Sequence, residues 1–178
     1  TAGILAWDWG MNAQCFIAAT NANDVVPEYL QTGIYSPRPS IRTLSNAMDV
    51  GDPSNFERLL AVFDSSSEKM HRMIHEEVVS DSETIETIRE VWTEKHRFLD
   101  PHTAVGYLAA RRYLENSART SGTKETPFLI SLSTAHPGKF LEVVEEAVGE
   151  KPVLPPQLQE ALNREKESIP IENTLEAL

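Results

Sequence analysis

The chain has 178 residues, of which 40% are hydrophobic and 24% are charged, as in an average globular domain. Its 16 basic and 27 acidic residues give a formal net charge of −11, so we expect neither nucleic acid nor an anionic membrane surface as a partner. The apolar runs are too short to span a bilayer, and a single cysteine, Cys15, without a signal-peptide pattern at the N-terminus predicts a cytoplasmic protein that has no internal disulfide.

The N-terminal part is predicted to contain a helix, a strand and a second helix. Thr1–Trp9 has the composition of a helix interior and no preceding cap, so we expect the sequence to begin inside a larger protein. The apolar run Gln14–Thr20 follows a turn and predicts a buried strand. Asn21–Asp24 offers side-chain caps for a short helix over Val25–Leu30, which we expect to end near Gly33.

Three capping boxes, each a serine followed three residues later by a glutamate, predict three helix starts in the middle of the chain. The pairs are Ser54 with Glu57, Ser65 with Glu68, and Ser80 with Glu83. Apolar residues at helical spacing follow each pair. They are Phe56, Leu59, Leu60 and Phe63 in the first helix, Met70, Met73, Ile74 and Val78 in the second, and Ile85, Ile88 and Trp92 in the third.

A fourth helix is predicted from Pro101 to Leu114, and its Gly106 would let another element approach closely. The polar stretch Asn116–Thr126 predicts a loop. The apolar run Pro127–Ser133 predicts a second strand, which leads into a helix with an apolar face from Phe140 to Val148. A last short helix and a polar tail follow the prolines at 152, 155 and 156.

Strands joined by helical stretches predict a layered α/β architecture. Two strands cannot form a self-sufficient parallel sheet, which again indicates that other strands lie elsewhere. We expect residues 1–150 to form part of one catalytic domain and residues 151–178 to form a terminal helix and tail. An incomplete sheet would expose an apolar face, through which the chain is expected to self-associate.

Open α/β sheets bind ligands beyond the carboxyl ends of their strands, where strands meet helices. Two such junctions are predicted, Thr20–Asp24 and Ser131–Phe140. The second is dense in small polar side chains at a helix start, which favours an anionic or acceptor-rich ligand. From spacing alone, a merely capped helix start explains this junction as well.

Two other features predict ordinary structural roles. His71 and His75 are four residues apart on a predicted helix, a spacing that can chelate a metal, but no third ligand is evident and we expect no metal site. Cys15 lies in an apolar strand and is expected to be a core residue.

Four sequence blocks resemble the threonine synthase family, in the family's order and at its approximate spacing. They are Phe16–Leu30, Leu44–Arg58, Leu99–Gly106 and Leu132–Phe140. The resemblance implies the C-terminal part of the layered α/β catalytic domain of a fold-type-II enzyme that depends on pyridoxal 5'-phosphate (PLP). It also implies that the full enzyme converts O-phosphohomoserine and water to threonine and phosphate.

The resemblance further assigns roles to individual residues. Thr134 matches the family's threonine that faces the pyridine nitrogen of PLP, and in the same segment His136 is expected to be structural. Asp49, Ser54, Asn55 and Arg58 are candidates for the substrate side. There a helix start and a guanidinium could bind the substrate phosphate, although a capping box with an ordinary surface ion pair of Glu57 and Arg58 explains the same residues.

The resemblance also implies that two parts of the family's site lie upstream of Thr1. These are the lysine that binds the cofactor covalently and the Gly/Asn-rich loop that binds its phosphate. None of the chain's lysines lies in the family's lysine motif, so we expect no catalytic residue in this chain and no activity from it alone. A related PLP enzyme, such as a threonine dehydratase or cysteine synthase, and a non-catalytic interaction module remain the alternatives.

Overall fold

The computed structural model describes residues 1–121, 127–172 and 174–177. This part of the chain contains eight α-helices and two β-strands. In chain order they are α1 (Ala2–Asp8), β1 (Phe16–Thr20), α2 (Val25–Thr32), α3 (Phe56–Val62), α4 (Ser67–Met73), β2 (Ile74–Val78), α5 (Asp81–Lys95), α6 (Pro101–Ser121), α7 (Leu141–Val148) and α8 (Pro156–Asn163). Short 3-10 helices cover Asn46–Met48, Pro137–Phe140 and Leu175–Ala177. The helix-rich α/β class is confirmed.

The two strands form a parallel pair, with Phe16 opposite Ile74 and Thr20 opposite Val78. The strand predicted at the position of β1 is therefore confirmed. The prediction of helix through Ile74 and Val78 is wrong, because the helix ends at Met73 and β2 follows at once. The apolar residues of this stretch fit a helical spacing, and only pairing with the distant β1 decides in favour of a strand.

The second predicted strand, Pro127–Ser133, is also wrong. Its backbone forms no strand pairing within the described residues. Its alternate side chains Phe128, Ile130 and Leu132 are 88%, 75% and 74% exposed. The alternation is that of a strand, but a strand needs a hydrogen-bonded neighbour, and the described part of the chain supplies none.

The predicted helices are present, with changes at their ends. Ser80 and Glu83 form the expected capping box at the start of α5. The capping box predicted at Ser65 with Glu68 does not form, because the N-cap residue of α4 is Ser66, whose side chain accepts a hydrogen bond from the backbone N–H of Lys69. The box predicted at Ser54 does not form, because Asn55 is the N-cap residue of α3 and makes no side-chain cap bond.

The loop predicted from Asn116 is helical as far as Ser121, the end of α6, while residues 122–126 lie outside the described residues. Long helices of this kind are stabilised chiefly by the packing of one face. Here Ala104, Val105, Leu108 and Ala109 of α6 are buried.

Helices pack on both faces of the small sheet. On one face, Phe16 and Ala18 of β1 contact a core built from α1 to α4 and the first residue of β2. Its buried members are Ile4, Tyr29, Leu30, Phe56, Leu59, Phe63, Met70 and Ile74. On the other face, Ala19 contacts Val79 together with Val105 and Leu108 of α6. Successive residues of a strand point to opposite faces, so this short strand joins the two cores.

The helices α5, α6 and α7 form a further layer, in which Ile88, Ala104 and Ala147 are buried together. The Nε of Arg89 donates to the backbone oxygen of Ala147 at 3.0 Å and ties α5 to the end of α7. Within the described ranges, no helix is long and apolar enough to cross a membrane.

Candidate functional site

The carboxyl end of β1 carries a buried polar cluster. Asn21 is buried, and its side-chain nitrogen lies within hydrogen-bond distance of Thr43, Ser45 and Asp49, at 2.7 to 3.2 Å. The amide has two donor protons, so these acceptors share them. Its oxygen accepts from the backbone N–H of Asn23 at 2.9 Å. The cluster therefore fixes the turn after β1 and holds the 43–49 segment beside it.

Asp49 is a central acceptor in this cluster. One carboxylate oxygen accepts from Asn21 at 2.9 Å and from the Thr43 hydroxyl at 2.7 Å, and the other accepts from the Thr43 backbone N–H at 3.0 Å. Both oxygens are engaged within the protein. The structure thus gives Asp49 a role in shaping the strand end.

A second polar cluster lies at the start of α6, around the buried carboxylate of Asp100. One oxygen accepts from the backbone N–H groups of His102 and Thr103, at 2.9 and 3.3 Å, which caps the helix. The Asp100-Pro101 sequence suits this arrangement, because proline needs no N–H partner in the first turn. The other oxygen accepts from the hydroxyl of Thr103. A negative charge at a helix N-terminus, such as this carboxylate, is stabilised by the helix dipole.

His102 links this carboxylate to the 3-10 turn at Asn46–Met48. Its Nε2 accepts from the backbone N–H of Ala47 at 3.1 Å, and its Nδ1 lies 3.0 Å from Asp100. Since Nε2 is an acceptor, the neutral ring carries its proton on Nδ1 and donates it to the carboxylate. The ring also packs on Phe140, with centroids 4.9 Å apart. His102, which lies in the family-like block Leu99–Gly106, therefore contacts two of the other three blocks.

The segment that holds Thr134 runs beside the start of α6. The hydroxyl oxygens of Ser133 and Thr103 are 3.2 Å apart. A side chain at Gly106 would meet the Ser131 hydroxyl at 3.3 Å, which confirms that Gly106 lets another segment approach α6. The side chain of Thr134 is exposed and forms no hydrogen bond within the described residues.

His136 has the structural role expected for it. It is the N-cap residue of the 3-10 helix Pro137–Phe140, and its Nδ1 accepts from the backbone N–H of Gly138 at 3.0 Å. A side chain at Gly138 would overlap Leu154, so this helix start packs closely against the segment before α8.

The remaining sequence candidates lie at the start of α3. Ser54, Asn55 and Arg58 are exposed, and Asn55 donates to the hydroxyl of Thr1 at 3.0 Å. Arg58 forms no ion pair within the described ranges, so the expected surface pair with Glu57 is absent. No described hydrogen bond joins these three residues to Asp49 or Thr134.

Two other features differ from their predicted surroundings. His71 and His75 do not share a helix, because α4 ends between them. His71 lies 3.5 Å from Glu76, and the His75 ring packs on Tyr113. Cys15 precedes β1, is half-buried rather than a core residue, and donates to the Tyr113 hydroxyl at 3.2 Å.

Several polar residues of these clusters and their surroundings were not individually identified as candidates from the sequence, among them Thr20, Asp100 and His102. The hydroxyl of Thr20, at the end of β1, is buried and has no hydrogen-bond partner within the described residues. An Asp-Pro pair followed by polar residues is a recognisable helix start, and it could have identified Asp100. The partner of His102 lies 55 residues away, so no local pattern could identify that contact.

Comparison with known proteins identifies related sequences. Residues 103–178 match the family described as the C-terminal part of threonine synthase. The threonine synthase of Serratia marcescens is 40% identical over 158 residues, which cover 89% of this chain and 34% of that protein. The threonine synthase of Escherichia coli K12 is 39% identical over 160 residues.

Solved structures give the same result. The crystal structure of threonine synthase from Escherichia coli aligns with a TM-score of 0.78 and 38% identity, over 91% of this chain and 35% of that one. The structure of PLP-bound threonine synthase from Brucella melitensis aligns with a TM-score of 0.77 and 30% identity, over 93% of this chain and 39% of that one. The chain thus spans about a third of the length of its curated relatives. Over about nine tenths of its length the chain is similar to a part of known threonine synthases.

Proposed function

We propose that the enzyme containing this chain converts O-phosphohomoserine and water to threonine and phosphate with PLP as its cofactor. The similarity to threonine synthases supports this proposal, as does the similarity to a threonine synthase whose structure contains PLP. The observation that carries the proposal for this chain is the placement of Thr134. Thr134 is exposed, and it lies between Ser133, which contacts Thr103, and the helix start that His136 caps. This placement leaves its hydroxyl available to a ligand.

The hydroxyl of Thr134 is a hydrogen-bond donor that suits the cofactor ring. A neutral hydroxyl can donate one hydrogen bond to a pyridine nitrogen, and the Thr134 hydroxyl has no competing partner in the described chain. When bound, PLP supplies an electron sink for elimination and replacement chemistry. Thr134 would orient the ring without holding a proton on its nitrogen, as a carboxylate would.

We place the substrate side near the start of α3 and the 43–49 segment. Arg58 is exposed and without an ion pair among the described residues, so its guanidinium is available to a phosphate. Ser54 and Asn55 flank the same helix start. Because both oxygens of Asp49 accept hydrogen bonds within the protein, we propose that it positions this side and does not contact substrate.

Further parts of the proposal concern the whole enzyme. The lysine that binds PLP covalently and the loop that binds its phosphate would come from outside this chain. Residues 1–150 would belong to the catalytic domain, with 151–178 as a terminal helix and tail. We further propose a cytoplasmic location.

The experiment compares a polypeptide of the full family length that contains this sequence with the 178-residue chain alone. Each is supplied with PLP and O-phosphohomoserine, and both phosphate and threonine are measured. We expect the full-length form to release phosphate and threonine in equal amounts and the chain alone to be inactive. Deamination of threonine without use of O-phosphohomoserine would instead indicate a dehydratase. Steady threonine production by the chain alone would refute our placement of the lysine and the phosphate loop.

A further inference from the structure

A chain of hydrogen bonds leads from the protein core to the residue next to Thr134. It begins at Asp100, which is 1% exposed, and passes through the hydroxyl of Thr103, which is 6% exposed. The Thr103 and Ser133 hydroxyl oxygens are 3.2 Å apart. Thr103 has one hydroxyl proton, which the Asp100 carboxylate accepts. The Thr103 hydroxyl is also the donor toward Ser133, so its single proton is shared between the Asp100 carboxylate and the Ser133 hydroxyl.

The inner end of this chain is held rigidly. The Asp100 carboxylate accepts from the backbone N–H groups of His102 and Thr103 and from the His102 ring. A buried carboxylate that lost these bonds would pay a large desolvation penalty. Asp100 is therefore confined to one orientation, and it fixes the rotamer of Thr103 in turn.

The outer end of this hydrogen-bond chain, Ser133, lies in a segment with no strand pairing in the described residues. Thr134 is flanked by two anchors, the bond between Ser133 and Thr103 on one side and the cap formed by His136 on Gly138 on the other. The Thr134 backbone is thus held at both sides, while its own side chain has no hydrogen-bond partner among the described residues.

We propose that Asp100, acting through Thr103 and Ser133, is a positioning residue that directs the Thr134 hydroxyl toward the cofactor ring. The inference rests on the proposed function, because that proposal gives Thr134 its ligand. It assigns a positioning role to Asp100 and Thr103, at the start of α6, which would not contact PLP or substrate themselves. A different ligand-facing role for Thr134 would use the same anchors.

The test uses full-family-length enzyme containing this sequence, in its apo form, and titrates PLP into Ser133→Ala. Ser133 is exposed, so its loss leaves the core intact. Removing one hydrogen bond between hydroxyls should weaken PLP binding about 2- to 10-fold. Amide hydrogen exchange at residues 132–136 should become faster in the apo variant. Ser131→Ala, an exposed serine of the same segment, is the matched control and should leave both quantities unchanged.

Two further comparisons separate positioning from simple stabilisation. Thr103→Val should weaken PLP binding like Ser133→Ala, and Thr103→Ser should restore it, because the hydroxyl is kept. If Ser133 acts through Thr134, adding Ser133→Ala to Thr134→Val should give no further loss of affinity.

The outcomes distinguish this inference from the proposed function. Weaker PLP binding in Thr134→Val together with wild-type binding and exchange in Ser133→Ala would overturn the positioning role and leave the proposed function standing. Faster exchange in Ser133→Ala together with wild-type PLP binding in Thr134→Val would overturn the cofactor role of Thr134, while the anchoring contact would stand.

Discussion

At the scale of single residues, Glu83 gives the clearest electrostatic prediction. Its pKa is lowered from the ordinary value of 4.5 to about 2, first because the backbone N–H of Ser80 donates to its carboxylate, then because of the Ser80 hydroxyl and Arg112. A carboxylate with a lowered pKa stabilises the folded state above its unfolded pKa. That stabilisation is lost as the pH falls from there toward the folded pKa.

We therefore expect Glu83→Gln to lower the free energy of unfolding at pH 7 by about 0.5–1 kcal/mol. This value is discounted for solvent screening, because the Glu83 side chain is 37% exposed. The difference from wild type should shrink as the pH falls from about 4.5 to about 2. Melting curves of both proteins across this range check it, with exposed Glu86→Gln as the control. A difference that stays constant with pH would contradict the assignment.

The sequence identifies some residues of the site and not others, for a physical reason. Thr134 and Asp49 lie in blocks that resemble the family, so the resemblance identifies them as candidates. His102 accepts a hydrogen bond from the backbone N–H of Ala47, which is distant along the chain. Spacing patterns report only local partners, so a contact between two turns that meet in space lies beyond them.

At the scale of elements, the start of α4 gives two neighbouring serines different structural roles. Ser66 accepts a cap bond from the backbone N–H of Lys69, while Ser65 has a positive φ of 57° and lies outside the helix. Ser66→Ala should lower the free energy of unfolding by about 1 kcal/mol, and Ser65→Ala should change it by less than about 0.5 kcal/mol. Urea unfolding of both variants measures this. Equal losses, or the larger loss at Ser65, would contradict the observed cap.

The helices could be predicted from the sequence more fully than the strands. The Ser80 capping box and the apolar spacing of α5 act within one helix, so local patterns are sufficient. A strand is stabilised by a partner that is distant in sequence. Ile74–Val78 becomes a strand because β1 lies beside it, and Pro127–Ser133 stays unpaired because the described chain offers it no neighbour.

At the scale of the whole molecule, the exposed side chains of Phe128, Ile130 and Leu132 predict self-association of the 178-residue chain. Alternating apolar residues on a backbone that has no strand partner in the described chain favour edge-to-edge pairing. Sedimentation velocity should show oligomers that increase with concentration. Replacing all three residues with serine should shift the population to monomer.

The control for this prediction is Val153→Ser, which removes an exposed apolar side chain outside the segment. It should leave the distribution of species unchanged. A monomeric wild-type chain over a wide concentration range would contradict the prediction, as would oligomers that persist after the triple replacement.

The proposed cofactor site depends most directly on Thr134 in the full-family-length enzyme. Thr134→Val keeps the volume and removes the hydroxyl, so the ring nitrogen would lose its proposed donor. We expect PLP affinity or turnover to fall roughly 5- to 150-fold. Thr134→Ser keeps the donor and should remain close to wild type. PLP titration of both apo variants, with melting curves beside it, is the decisive measurement. Wild-type affinity and turnover in Thr134→Val, with only a lower melting temperature, would contradict the account.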